Sequence, residues 1–450
     1  MEISKMDPKE NKRNLWKKHV TISTISSISE SAEEADKKIV HIKDLEKRKQ
    51  VYGICGECNE PGTGEKWCQP CNAKRFKDNF KNWTSGNKDI DEFIQQSQLN
   101  AVHHKKYLEW VPFENFKDIT YITRGGFGKI YSAEWPEGYI TSWDIENQKW
   151  KRDKNVEKVA LKSLDNSSCI STEFLNEIKT HLQIYLYDII QCYGITQDPN
   201  TKDYMMVLKY CKGGNLRNYY LNYEPNYYSK IGNLIRITNG LLDIHNAGKV
   251  HKDLHSGNIL FTSYPYISDL GMCQPVNNGS QSAKKEGIYG VLPYMAPEVL
   301  RGYQYTKASD IYSFGIMMNE YMSEKTPYNN IPHDHVLAIK ISENRPTAKE
   351  FYQKLNKWYN DEYEDSDIYS QIDEYDNKIK LNRTSEKRSN NIQTHPQAIY
   401  TSRLLNFKNL PEPVNSVDVI LSPLFSEGFD CQLNESDLNE INQDGENNTE

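Results

Sequence analysis

Apolar spacing changes several times along the chain, and each change marks a different kind of structure. Residues 1–50 are rich in Ser, Lys and Glu without a clear period and read as a polar, disordered N-terminal segment. Good helix formers from Ala35 to Gln50 allow one short helix there. Ile90, Phe93, Ile94 and Leu99 fall on one helical face, with Asp89 and Asp91 near the helix start. Residues 116–123 (FKDITYIT) alternate and carry β-branched side chains, which predicts a strand. A glycine turn, a second strand (130–135), a polar insert and a third strand (156–162) follow. Trp143 and Trp150 in the insert have no evident role. Residues 172–185 have helical periodicity, residues 205–211 (MMVLKYC) read as a strand, and Gly213-Gly214 breaks it. The chain is then mostly helical to about residue 360. Strands first and helices afterwards predict an α+β, two-lobed architecture. Beyond Asn360 the apolar period is lost, and residues 430–450 hold seven Asp/Glu and no Lys or Arg. That stretch reads as an acidic, largely disordered tail.

Composition narrows the classes. A chain of 450 residues suits two or three units, and 37% hydrophobic content with a mean hydropathy of -0.78 requires long polar segments outside any core. A net charge of -7 gives no argument for nucleic-acid binding. No apolar run reaches membrane-span length, and the N-terminus lacks the apolar stretch of a secretory signal. The expectation is an intracellular protein, in the cytoplasm, with the nucleus left open.

Of nine cysteines, Cys55, Cys58, Cys68 and Cys71 form a C-x2-C-x9-C-x2-C block. Two such pairs can close a tetrahedral four-sulfur site on one Zn²⁺, with Gly56 suited to the first turn. A block of 51–75 is too small to bury much core, so a structural metal is its expected source of stability. Redox-active or unbound thiols are the alternatives, and docking of a partner is a conceivable use. Cys169, Cys192, Cys211, Cys273 and Cys431 are scattered and read as packing or surface thiols.

Several further motifs suit phosphate chemistry. Arg124-Gly125-Gly126-Phe127-Gly128-Lys129-Ile130-Tyr131 is a glycine turn between strands, where absent Cβ atoms let backbone N–H groups approach phosphate oxygens. An ordinary glycine-rich hairpin gives the same pattern. Val159-Ala160-Leu161-Lys162 places a Lys at the end of an apolar strand, and His251-Lys252-Asp253-Leu254-His255-Ser256-Gly257-Asn258 precedes Asp269-Leu270-Gly271 by eleven residues. Ala296-Pro297-Glu298 and Asp310-Ile311-Tyr312-Ser313-Phe314-Gly315 follow in that order.

This ordered set, over about residues 116–360, resembles the protein kinase superfamily and is closest to its tyrosine-kinase-like group. The Cys block, the D-L-H-S-G-N loop and the tail HPQAIYTSRLLNFKNLPEPVNS together look like an expanded fungal kinase-like family. The resemblance implies an ATP- and Mg²⁺-dependent enzyme acting on a protein hydroxyl, with Ser/Thr favoured by Tyr294-Met295. It implies that Lys162 contacts phosphates and is held by Glu177, with Glu173 one turn earlier. It gives Asp253 the attacking hydroxyl, and Asn258 and Asp269 the magnesium. Thr123 to Gly128 would cover the phosphates. Leu208 would gate the adenine site, Lys209 to Cys211 would form the hinge, and Ile130, Ala160 and Leu260 would sandwich the base. Asp310 would brace the catalytic loop, and Arg345 would pair with Glu298.

Departures from the family pattern carry expectations of their own. Thr123 stands where the first glycine is usual. Lys252 replaces an Arg that clamps phosphate with a fork, so phosphorylation at Ser280, Ser282 or Tyr289 should have a weak effect. His255 and Val291 occupy places where Ser/Thr kinases carry Lys and Thr. Few residues separate Thr326 from Arg345, so the large lobe looks shortened. The apolar helix after Asp310 would then need cover from Phe351, Leu355 and Trp358, from a docking partner or from self-association. The domain plan is a polar segment 1–50, a four-cysteine zinc-binding-like block 51–75, a helical linker 76–112, a kinase domain 113–360 and a tail 361–450. The competing function is a kinase-like docking module that binds nucleotide or partners without transfer.

Overall fold

The computed structural model describes residues 45–125, 128–154, 158–164, 172–184, 188–276, 288–333, 366–384 and 394–405. The first elements are helices α1 (Leu45–Tyr52), α2 (Gln69–Asn79) and α3 (Lys88–Leu99). Strands β1 (Glu109–Trp110), β2 (Lys117–Gly125), β3 (Gly128–Glu134), β4 (Tyr139–Asp144), β5 (Lys149–Asp153) and β6 (Lys158–Leu164) follow. Helix α4 (Thr172–Gln183) leads to β7 (Cys192–Gln197) and β8 (Tyr204–Lys209). A six-stranded sheet runs β1-β7-β8-β6-β3-β2, antiparallel except for β1 beside β7.

The run Met205-Met206-Val207-Leu208 is apolar without a break because β8 is covered on both faces. Met206 and Leu208 meet Phe174 and Ile178 of α4 together with Ile90 and Ile94 of α3. Met205 and Val207 meet Val159, Leu161, Tyr193 and Phe116. Alternation of side chains along one strand thus builds two cores.

Two parts of the sequence reading need correction here. The polar insert after Trp135 is a hairpin, β4 with β5, in which Trp143 faces Trp150. The Trp150 ring stacks 4.8 Å from Phe76 and 6.0 Å from Trp67, which gives the two tryptophans their purpose. They join the hairpin to the Cys block. The stretch 76–112, expected as a helical linker, is likewise integrated. Ile90 and Ile94 are fully buried, and β1 extends the sheet. Helix α2 runs to Asn79, past the boundary placed at 75.

The large lobe contains α5 (Leu216–Tyr223), α6 (Tyr227–Asn246), α7 (Pro297–Leu300) and α8 (Lys307–Ser323). Thr306 and Ser309 cap α8 reciprocally, so its start is fixed by a capping box. Ile311, Phe314 and Met317 of α8 are buried, and Ile316 and Met318 are partly buried against the same cluster. Thr347, Phe351, Leu355 and Trp358 lie outside the described residues, as does Arg345.

The tail departs most from its reading as disordered. Residues Ser366–Thr384 form helix α9. Ile372 and Ile379 are buried, the Tyr375 hydroxyl donates to Met322 O at 2.6 Å, and Arg383 pairs with Glu324. A sparse stripe of Ile372, Tyr375 and Ile379 suffices because ionic contacts supplement it. Farther on, Arg403–Leu405 pairs antiparallel with Ile288–Gly290 in the large lobe.

Candidate active site

Lys162 lies on β6, where Ile130 of β3 and Met206 of β8 flank it in register. The side chain is buried, and its Nζ is 2.7 Å from Glu177 Oε1 and 2.9 Å from Asp269 Oδ1. Glu177 comes from α4, one turn beyond Glu173, and is the carboxylate that meets the lysine. Burial alone would strip the Lys162 proton, but Asp269 and Glu177 outweigh it and hold the ammonium above its ordinary range. Burial likewise raises the Asp269 carboxyl, yet the Lys162 charge overrides it and holds that group below its usual range. The three side chains form one ion-paired cluster linking both lobes.

The loop 251–258 is braced from below. Asp310, at the start of α8, accepts from the backbone N–H of His251 at 2.8 Å and of Lys252 at 2.9 Å. His245 of α6 lies 2.9 Å from the same carboxylate. Lys252 has φ of 73°, a left-handed turn at a non-glycine residue that these hydrogen bonds sustain. Its Nζ donates to Gln274 Oε1 at 3.0 Å.

A short hairpin, Ile259–Phe261 against Pro265–Ile267, then sets Asn258 beside Ser268 and Asp269. Ser268 Oγ donates to Asn258 O at 2.8 Å. The Asn258 side-chain nitrogen donates to the Asp253 carbonyl at 2.8 Å, so its side-chain oxygen is the end that could hold a metal ion. Asp269 has a left-handed backbone and Leu270 after it is buried.

Asp253 is buried beside His255, whose Nε2 is 3.7 Å from Asp253 Oδ2. Ser402 Oγ donates to that same Oδ2 at 2.5 Å. Burial raises the Asp253 carboxyl, but the His255 imidazole and the hydrogen bonds from His255 and Ser402 prevail and hold it down at about 2. Asp253 Oδ1 is buried and has no hydrogen-bond partner among the described residues.

Around this centre, β2 and β3 form the glycine hairpin. Thr123 pairs with Ile130, Arg124 with Lys129, and Gly125 with Gly128. Gly126 and Phe127 lie outside the described residues. Ala160 and Leu260 are partly buried against the cluster that contains Leu208 and Cys211. Lys209 donates from Nζ to the Tyr266 hydroxyl at 2.8 Å, and the Cys211 carbonyl accepts from Gly214 N at 3.1 Å. Beneath the loop, sequence reasoning missed a buried network. Arg217 Nη2 pairs with Glu320 at 2.8 Å, and the Tyr294 hydroxyl donates to Glu320 and lies 3.1 Å from Ser256 Oγ. No local spacing links these positions. Ser402 was missed for a different reason. It stands in the tail segment HPQAIYTSRLLN, whose apolar Ile399, Tyr400, Leu404 and Leu405 were the available signal.

The four cysteines converge. All four Sγ atoms lie within 4.8 Å of one another, with Cys55 to Cys71 at 3.9 Å and Cys58 to Cys68 at 3.6 Å. Four thiolates around one tetrahedral zinc would be about 3.8 Å apart. The neighbouring Cys68 thiol holds Cys55 down at about 5, whereas burial and the charge of Cys55 push Cys71 up to about 12. The block is a candidate metal site.

Residues 116–361 match the family model for protein tyrosine and serine/threonine kinases. The chain belongs to that family. It is 24% identical over 252 residues to tyrosine-protein kinase SPK-1 of Girardia tigrina, a match covering 55% of the chain and 44% of the relative. It is 27% identical over 232 residues to the probable serine/threonine-protein kinase gdt4 of Dictyostelium discoideum, covering 49% of the chain and 13% of the relative. A receptor-like serine/threonine-protein kinase of Arabidopsis thaliana is 26% identical over 221 residues, covering 47% and 24%. The chain spans less than half the length of each. Among the described residues no helix is long and apolar enough to cross a membrane.

Proposed function

We propose that this kinase moves the γ-phosphoryl group of ATP to a serine or threonine hydroxyl of a protein, within intracellular signalling. The observation that carries the reading is the paired cluster of Lys162, Glu177 and Asp269 beside an ionised Asp253 that already accepts a hydroxyl hydrogen bond. Asp253 orients the acceptor hydroxyl and takes its proton. Lys162 binds the α- and β-phosphates as a point charge, fixed by Glu177. Residues 123–128 cover the phosphates with backbone N–H groups, and Ile130, Ala160, Leu260 and the 209–211 hinge hold the base.

Asn258 and the ionised Asp269 are hard oxygen donors that fit Mg²⁺, and they would hold it. Such an ion neutralises charge on the transferred group. The Cys55, Cys58, Cys68 and Cys71 sulfurs fit a structural Zn²⁺ in the same sense. A docking module without transfer is the second reading, favoured by the tail segment lying against Asp253. Transfer from labelled ATP, measured on the full chain beside Asp269→Asn, separates the two. Equal, background-level labelling of both proteins would leave the docking reading.

A further inference from the structure

Residues 394–405 cross the large lobe at the place where an acceptor hydroxyl would have to stand. Four features make the crossing more than a loose tail. First, Ser402 Oγ donates to Asp253 Oδ2 at 2.5 Å, the length of a charge-assisted O–H···O⁻ bond. Second, the three residues after it are laid down in register. Arg403, Leu404 and Leu405 pair antiparallel with Gly290, Tyr289 and Ile288, so backbone bonds fix which residue faces Asp253. A slip of one residue would turn Leu405 out of its site and Ser402 away from the carboxylate. Third, Leu405 is buried among Leu292, Met295, Val299 and Leu300, the residues around the A-P-E motif. Fourth, the residues before Ser402 are anchored on the other side. The Tyr400 hydroxyl donates to Pro327 O at 2.7 Å, the Arg217 guanidinium lies 4.7 Å over the Tyr400 ring, and His333 Nδ1 accepts from Ile399 N at 3.1 Å.

We propose that residues 394–405 are an intramolecular substrate of this kinase, with Ser402 the acceptor, and that they exclude other proteins until Ser402 is phosphorylated. This rests on the reading of the chain as an active kinase. In the step, Ser402 Oγ forms a bond to the γ-phosphorus of ATP and its proton passes to Asp253 Oδ2. The bond from that phosphorus to the β,γ-bridging oxygen breaks, and ADP leaves with the electron pair. The product carries a charge of about -1.5 to -2 beside the Asp253 carboxylate. Like-charge repulsion in a buried site disfavours the seated segment and frees the groove.

A purely structural plug would share the anchors but would never be labelled. Full-length protein is therefore incubated with Mg²⁺ and γ-labelled ATP, with dephosphorylated casein as the external substrate, and phosphosites are mapped by mass spectrometry. The expected result is one phosphate at Ser402, formed at a rate unchanged over a roughly tenfold range of chain concentration, because the acceptor is tethered. Casein labelling should show a lag that pre-incubation with unlabelled ATP abolishes. Ser402→Thr should keep labelling at that position, and Ser402→Ala should lose it. Leu405→Asp, which unseats the strand, should abolish the lag and raise the initial casein rate about tenfold, as expected when a site covered most of the time is opened. Casein labelled without phosphate at Ser402 overturns the inference and leaves the kinase reading standing. So does a Ser402 rate proportional to chain concentration, or phosphate on Thr401 instead. If neither Ser402 nor casein is labelled above the Asp269→Asn background, both fall together.

Discussion

On the proposed role of Asp253 as the group that takes the hydroxyl proton, Asp253→Asn isolates that step from everything else the residue does. The two side chains have the same shape, and Asn keeps one oxygen able to accept from Ser402 or from the Asn258 amide, 3.3 Å from Oδ2 in the native site. What it loses is basicity. A positioned base contributes about 10²–10⁴-fold, so kcat should fall by that factor, equivalent to about 3–5 kcal/mol of barrier. The KM for ATP should hardly change, because Lys162, Asn258 and Asp269 are untouched. A pH signature goes with this. The Asp253 carboxyl is held at about 2, below the ~3.9 of an unfolded chain. A depressed folded value stabilises the protein above pH ~4, and that stabilisation is lost as pH falls toward 2. Asn does not titrate, so the melting temperature of the variant should fall less steeply between pH 4 and 2. The same value implies that an activity limb near pH 6 belongs to another group. Steady-state kinetics with casein and ATP, beside melting curves, test all of this. Unchanged kcat with a raised KM for ATP would refute the assignment of Asp253 to the hydroxyl.

Three further outcomes are expected. Lys162→Met leaves buried Glu177 without its counter-ion; it should raise the KM for ATP and cost about 3–5 kcal/mol of stability, and an unaltered KM would count against Lys162 as the phosphate contact. Native protein should carry one Zn²⁺ per chain by metal analysis, and Cys58→Ser should release it. Four freely alkylated cysteines in metal-replete native protein would contradict the site. His181 of α4 is fully buried and its imidazole is held down at about 4, by burial first and then by Lys162. Below pH ~6.5 the unfolded chain binds a proton that the folded one refuses, so stability should drop by about 3 kcal/mol between pH 6.5 and 4. His181→Gln should flatten that slope, and an unchanged slope would refute the account.

The candidate site residues could be singled out because the phosphate and metal contacts that the resemblance implies need fixed residue types at fixed local spacing. Lys162, the 251–258 loop and Asp269 could be read for that reason, and the apolar run in β8 announced its strand. The alternation of the β4–β5 hairpin was hidden because its inward positions mix Ile140 and Ser142 with tryptophans. Helix α9 was hidden because its stripe is dilute and its docking relies on Arg383 and Tyr375 meeting partners more than fifty residues away. The Arg217–Glu320–Tyr294 network spans distant segments, and a single sequence carries no local sign of such pairing. Ser402 was missed for another reason, because the apolar Ile399, Tyr400, Leu404 and Leu405 around it were read as part of a disordered tail. Nothing in T-S-R marks a serine that meets Asp253 until the pairing with Ile288–Gly290 fixes its register.

Treating the Cys block as an autonomous unit was reasonable from composition, yet its packing argues otherwise. Cys68 stands at the N-cap of α2, and Phe76 on that helix stacks against Trp150 of the hairpin. Gln69 ties the same helix to α3 by donating to Leu99 O at 2.5 Å. Ile90 and Ile94 of α3 are buried in the cluster with Phe174 and Ile178 of α4, which flank Glu177 in sequence. Each link is a packed or hydrogen-bonded contact, buried or half-buried, rather than a tether, so displacement of the cysteines is felt along a continuous path. That path ends on the helix whose position decides whether Glu177 reaches Lys162. A metal that fixes the cysteines therefore helps to fix the ion pair, and loss of Zn²⁺ from Cys58→Ser should lower phosphoryl transfer as well as loosen the block.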